Sequence, residues 1–153
     1  MSSFAKHMRE DLILLGLTCR DRDDALKQIT SMLEEKGIVK DTYYEALLAR
    51  EADFPTGLPI GELNFALPHT YPEHVNEVAI TLATLKEPVM FREMGDDENE
   101  VPVSVIVNLA MKKMDDNVKL LPELMDFFAN GDNLRTILEM TDPAEVYAFI
   151  KNG

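Results

Sequence analysis

The chain has no tryptophan, one cysteine and three histidines among its 153 residues, and only 15 Lys+Arg stand against 28 Asp+Glu. Each shortage excludes something. A lone Cys19 forms neither an internal disulfide nor a C-x-x-C ligand pair, so a reducing compartment, the cytoplasm, is expected. A formal charge of −13 repels phosphate backbones and anionic lipid surfaces, which argues against nucleic acid as a partner and against membrane binding. No apolar run nears the ~18 residues of a membrane span, and Met1–Glu10 contains neither a signal-peptide core nor an anchor, so no membrane insertion is expected. Repeats, low-complexity tracts and Pro/Gly/Ser-rich linkers are also missing. With 46% hydrophobic residues the chain can build one sizeable core but not two ordinary domains. A single domain over 1–153 is expected, with residues 1–8 as a flexible N-terminus.

What is present reads as strands alternating with helices. Leu12–Leu17 is a short apolar run suited to a buried strand, and Asp21 offers an N-cap oxygen to a helix lined by Ala25, Leu26, Ile29, Met32 and Leu33. Gly37 ends that helix, and Asp41 is expected to cap the next, whose inward stripe is Tyr44, Leu47 and Leu48 and whose last turn holds Arg50 and Glu51. From Phe54 to Pro72 the chain is punctuated by Pro55, Gly57, Pro59, Gly61 and Pro68, the mark of loops and short extended pieces. Val78–Ala83 and Val101–Val107 are strands, the second placing Val101, Val103, Val105 and Val107 on one face; Asp96–Glu100 is expected to form a hairpin turn before it. The last third is helical, with Val118, Leu121, Leu124, Met125 and Phe128 at helical spacing, a break at Gly131, and a final helix opened by Asp142-Pro143. The fold class is therefore α/β (α+β), one mixed parallel and antiparallel sheet flanked by helices.

Three histidines are few, and one of them suits phosphoryl chemistry. A neutral imidazole has a nitrogen lone pair that can attack phosphorus, and phosphohistidine keeps a reactive P–N bond. His69 follows Pro68 in the irregular segment, where Gly57 and Gly61 allow other backbone to come close, and Arg50 supplies a cationic fork that the acidic average lacks. On these residues alone His69 reads first as a loop histidine bonded to backbone and Arg50 as a surface ion pair, and Thr56-Gly57 reads equally as a plain turn. His69, Glu73 and His74 are conceivable metal ligands, but irregular backbone offers no common face for them, so no metal and no organic cofactor is expected. His7 is expected to be solvated. The Asp96–Glu100 run lacks calcium-loop spacing.

The ordered series Arg50-Glu51, Thr56-Gly57, Gly61 and Ala66-Leu67-Pro68-His69, followed by an apolar strand and a late helix, resembles the IIA domains of the sugar phosphotransferase system (PTS), of the fructose–mannitol superfamily. Phe65–Thr70, Glu73-His74-Val75 and Phe91–Gly95 are most similar to the galactitol-type branch. The resemblance implies the mannitol-type IIA fold and a phosphotransferase component with a phosphohistidine intermediate. In such a component His69 would accept phosphoryl from the phosphocarrier HPr and pass it to a cysteine of the cognate IIB protein, which serves the membrane permease IIC during sugar or alditol uptake, here galactitol. Arg50 would steady the phosphoryl oxygens and Thr56 would wall the site. Many relatives carry a second histidine where this chain has Asn117, which would either donate an amide hydrogen bond to phosphoryl or cap its helix. The alternative is a regulatory IIA-like module whose phosphorylation controls binding to a target outside transport.

Overall fold

The computed structural model describes residues 3–152, apart from the side chains of 3, 114–117 and 119. Strand β1 (Ile13–Leu17) leads into helix α1 (Arg22–Glu35). The Asp21 carboxylate accepts from the Asp24 N–H at 2.8 Å, and Ala25, Leu26, Ile29 and Leu33 bury one face at helical spacing, with Met32 only partly covered. Helix α2 (Tyr43–Asp53) starts one residue later than expected: Thr42 precedes it, not Asp41, and the Thr42 hydroxyl pairs with His74 Nδ1 at 2.8 Å instead of capping the helix. Its fully buried stripe is Tyr43, Leu47 and Glu51, four residues apart, while Tyr44 and Leu48 sit at its edge.

Strands β2 (Gly57–Leu58), β3 (Phe65–Ala66), β4 (Ala79–Glu93) and β5 (Asp96–Ala110) complete a five-stranded sheet in the order β1-β4-β2-β3-β5, with β4 also paired to β5. β1 and β4 run parallel, as do β3 and β5, whereas β4 and β5 form a long antiparallel hairpin. The hairpin tip is Met94–Gly95, with Gly95 at φ +84°. The acidic run Asp96–Glu100 therefore opens β5 and is not the turn. The hairpin is also broken midway. Thr84 faces Val105 and Val89 faces Val103, so four residues, 85–88, oppose Ser104 alone, and Pro88 has no N–H to carry the ladder through. The bulge turns β5 over: Val101 and Val103 pack into one core, Val105 and Val107 into the other, so the four valines do not share a face.

One core lies between the sheet and α1 and α2; the other lies beneath α3 (Met114–Phe128), α4 (Gly131–Glu139) and α5 (Pro143–Asn152). Asn130 caps α4 by accepting from the Asp132 N–H at 2.9 Å, and Asp142 accepts from the Ala144 N–H at 3.0 Å at the start of α5. The expected flexible N-terminus is not found from residue 3 onward. Ser3–His7 is a short 3-10 helix, Phe4, Ala5 and Met8 are buried, and the Phe4 ring lies 6.1 Å from that of Phe128, which is 5.9 Å from Phe65. Burying a phenylalanine contributes about 1.5–3 kcal/mol, enough to hold so short a helix down. Among the described residues no helix is long and apolar enough to cross a membrane.

Candidate functional site

The segment carrying His69 is tied to the sheet by its backbone. The Leu67 N–H donates to the Thr56 carbonyl at 3.3 Å, the Leu109 N–H donates to the Pro68 carbonyl at 3.0 Å, and His69 bridges Leu109 in parallel register at the end of β5. Leu109 is itself braced from below. The hydroxyl of the fully buried Tyr43 donates to its carbonyl at 3.3 Å and accepts from the Asn108 amide at 3.0 Å. Burial pushes the Tyr43 phenol up, so it remains a donor.

His69 is half-buried, and its Nδ1 lies 2.7 Å from the Leu67 carbonyl oxygen. A carbonyl only accepts, so Nδ1 bears the hydrogen and Nε2 carries the lone pair. Burial lowers the imidazole pKa from 6.5; the Leu67 carbonyl raises it and the Arg50 charge lowers it, with a net downward shift. The ring is thus held neutral near pH 7 in one tautomer. Arg50, in the last turn of α2, lies with its guanidinium carbon 3.9 Å from the centroid of the Phe54 ring and 5.5 Å from that of Tyr71.

Glu51 is 1% exposed, and both its oxygens are used: Oε2 accepts from the Thr56 N–H and Oε1 from the Thr56 hydroxyl, each at 2.7 Å. Burial raises its pKa to about 7 against the opposing pull of those two bonds and of the Arg22 and Arg50 charges. Thr56 therefore turns its hydroxyl towards Glu51 and offers the Leu67 N–H only its carbonyl. Next to it, a Cβ on Gly57 would come within 2.6 Å of the Arg92 carbonyl, so only glycine lets β2 run this close to β4. Around Gly61 the space is open; no close approach occurs there.

The Arg50 charge thus acts on the His69 ring, and the segment bearing His69 is tied through backbone to Thr56. Asn117 falls in α3 with its side chain outside the described residues. His74 pairs with Thr42 and lies 3.9 Å from Glu73, and among the described residues no group of three potential metal ligands forms. A cavity of about 560 Å³ lined by Leu15, Thr84, Lys86, Ser104 and Met140, among others, holds neither His69 nor Arg50. Glu51 escaped the sequence reading as a buried group, although its position four residues after Leu47 on the inward stripe was a signal for it. Phe54 and Tyr71 also escaped; only the spacing of Arg50 and Phe54 pointed to a contact.

The family model described as "Phosphoenolpyruvate-dependent sugar phosphotransferase system, EIIA 2" matches residues 6–153. The chain belongs to that family. The family consists of phosphotransferase carrier components. The galactitol-specific EIIA component of Escherichia coli (strain K12) is 33% identical over 127 residues, covering 83% of this chain and 84% of that protein. The crystal structure of PtxA from Streptococcus mutans aligns with a TM-score of 0.78 at 29% identity over 99% of this chain and 94% of that one. In fold, this EIIA chain also matches the complex of enzyme IIAMTL and phosphorylated enzyme IIBMTL from Escherichia coli, with a TM-score of 0.77 at 20% identity over 95% of this chain and 99% of that one. The mixed sheet flanked by helices is thus the mannitol-type IIA fold.

Proposed function

We propose that this chain, as one IIA unit over 1–153, is a cytoplasmic phosphoryl carrier that takes phosphate from phospho-HPr on His69 and gives it to a cysteine of a cognate IIB protein. The observation that carries the reading is the Nδ1–H bond to the Leu67 carbonyl at 2.7 Å, which leaves Nε2 of a neutral, half-buried imidazole as the nucleophile. In the first step the Nε2 lone pair attacks phosphorus, a P–N bond forms to His69, and the donor's P–N bond breaks with its electrons returning to the donor ring. Nδ1 keeps its hydrogen, so the Leu67 carbonyl faces the positive charge that the ring acquires. Arg50 steadies the phosphoryl oxygens. In the second step the IIB thiolate attacks phosphorus, a P–S bond forms, and the electrons of the P–N bond restore the Nε2 lone pair. Asn117, from its place in α3, is the further donor in this reading.

The IIB partner is supported by the fold match to a IIA protein in complex with phosphorylated IIB, and galactitol as the sugar by the 33% identity to a galactitol-specific component. Through IIB the chain serves a membrane IIC permease. Labelling with phosphoenolpyruvate, the first transferase of the system and HPr tests the site. Acid-labile phosphate is expected on the wild type and absent from His69→Ala; label that survives the substitution refutes His69. Adding the galactitol IIB protein should discharge the label. Label that stays on the chain with every sugar-specific IIB tried would favour a regulatory module over a transport carrier.

A further inference from the structure

Arg50 lies in the last turn of α2 and Phe54 follows that helix as its C-cap, four residues on, with its ring centroid 3.9 Å from the Arg50 guanidinium carbon. Tyr71 reaches the same guanidinium from the other side of the sequence, two residues beyond His69. Both rings are open to solvent, Phe54 at 56% and Tyr71 at 45%, so core packing does not account for their positions. Arg50 also differs in its partners. Arg9, Arg20, Arg22 and Arg135 each pair with an aspartate within 4.0 Å and Arg92 donates to the Asp97 carbonyl at 3.1 Å, whereas Arg50, which like Arg92 forms no ion pair with a carboxylate among the described residues, lies against two aromatic rings.

The difference has a chemical consequence. A carboxylate binds a guanidinium in plane and uses the N–H donors along its edge; an aromatic ring takes the flat face and leaves those donors free. Phosphoryl oxygens need the edge. We propose that Phe54 and Tyr71 are positioning residues for phosphoryl transfer, holding Arg50 by its face so that its unoccupied edge meets the group on His69. The role rests on His69 as the acceptor. It also explains why two large apolar rings stay exposed beside a charged group, and why one comes from the C-cap of the helix bearing Arg50 and the other from the segment bearing His69. The rings fix the cation to both halves of the site.

Steady-state phosphorylation of the full chain over a range of phospho-HPr concentrations tests this. Phe54→Leu keeps apolar bulk but removes the π face, and the protein should fold because the ring is exposed. Its kcat is expected to fall roughly five-fold with KM unchanged, and Phe54→Leu with Tyr71→Leu should fall roughly ten-fold or more. Phe54→Tyr should restore the rate. In an Arg50→Ala background Phe54→Leu should change nothing further, because it acts through the guanidinium. An unchanged kcat, a rise in KM alone, equal rates for the Leu and Tyr variants, or a further loss on top of Arg50→Ala each overturns the proposal; a KM effect would assign the rings to partner docking. The Arg50 Nε–H resonance, measured without any phosphoryl donor, should move when Phe54→Leu removes the ring current, and a resonance that stays put also overturns it. Should the resonance move while His69→Ala still labels, the positioning role falls with the His69 reading, and the Arg50–ring contact stands.

Discussion

Glu51→Gln replaces a buried acid by a neutral group of the same shape. The amide oxygen can still accept from the Thr56 N–H, and its NH₂ can donate to the Thr56 hydroxyl, so both contacts survive with one reversed. What disappears is a proton equilibrium. Folding raises the Glu51 pKa from 4.5 to about 7, so between those values the native state holds a proton that the unfolded chain releases. Stability from this group is therefore full below pH 4.5, falls as pH rises through the window, and reaches its low plateau above about 7. Between pH 5 and pH 8 the loss amounts to roughly 2–3 kcal/mol in the wild type and none from this position in Glu51→Gln. Urea denaturation of both proteins at the two pH values measures it as a difference of differences, in which all other titrating groups cancel. The variant should gain on the wild type by that amount at pH 8 relative to pH 5. A gap between the two proteins that does not change with pH would mean that the carboxylate is ionised throughout, and would refute the dominance of burial over the two Thr56 bonds. Glu51→Ala is the control: it leaves two buried donors on Thr56 unpaired and should cost roughly 2–5 kcal/mol at either pH.

His69 should titrate below 6.5 when followed by NMR of its ring protons, so phosphoryl transfer should lose its nucleophile only on the acid side of that value; Arg50→Met should move the midpoint up by removing a nearby positive charge, and a midpoint at or above 6.5 in the wild type would contradict its burial. Gly57→Ala should destabilise by roughly 1–3 kcal/mol in thermal unfolding and slow labelling of His69, because a Cβ at 2.6 Å from the Arg92 carbonyl forces β2 off β4 and shifts Thr56 with it. Thr81 is fully buried and its hydroxyl finds no partner among the described residues, so Thr81→Val should raise the midpoint of unfolding, worth about 1 kcal/mol; a drop would show that the hydroxyl is satisfied.

Helix α1 was legible because its information is local: Asp21 caps it and four apolar residues repeat at its period. The hairpin was legible in part. Its strands are strongly β-forming, but where they turn depends on a single glycine at φ +84°, and the acidic run that looked like the turn pairs as strand. The valine alternation failed because a bulge is a property of two strands in register, and Ser104 opposing residues 85–88 cannot be seen in either strand alone. Phe4 was misplaced for a related reason. Nothing near it in the chain supplies the rings of Phe127 and Phe128 that cover it.

By itself the sequence determined the class of fold and, through the ordered motifs that resemble the IIA family, the histidine worth testing, since cap residues, apolar period and those motifs are written in short runs of consecutive residues. It also placed Arg50 at a helix end, within one turn of Phe54. The tertiary structure alone decided the state of those groups. Which nitrogen of His69 is free follows from a carbonyl 2.7 Å away, the charge of Glu51 from burial against Thr56, and the partner of Arg50 from a Tyr71 brought across from another segment. Protonation and donor availability depend on the local dielectric and on neighbours distant in sequence, and folding is what brings those together.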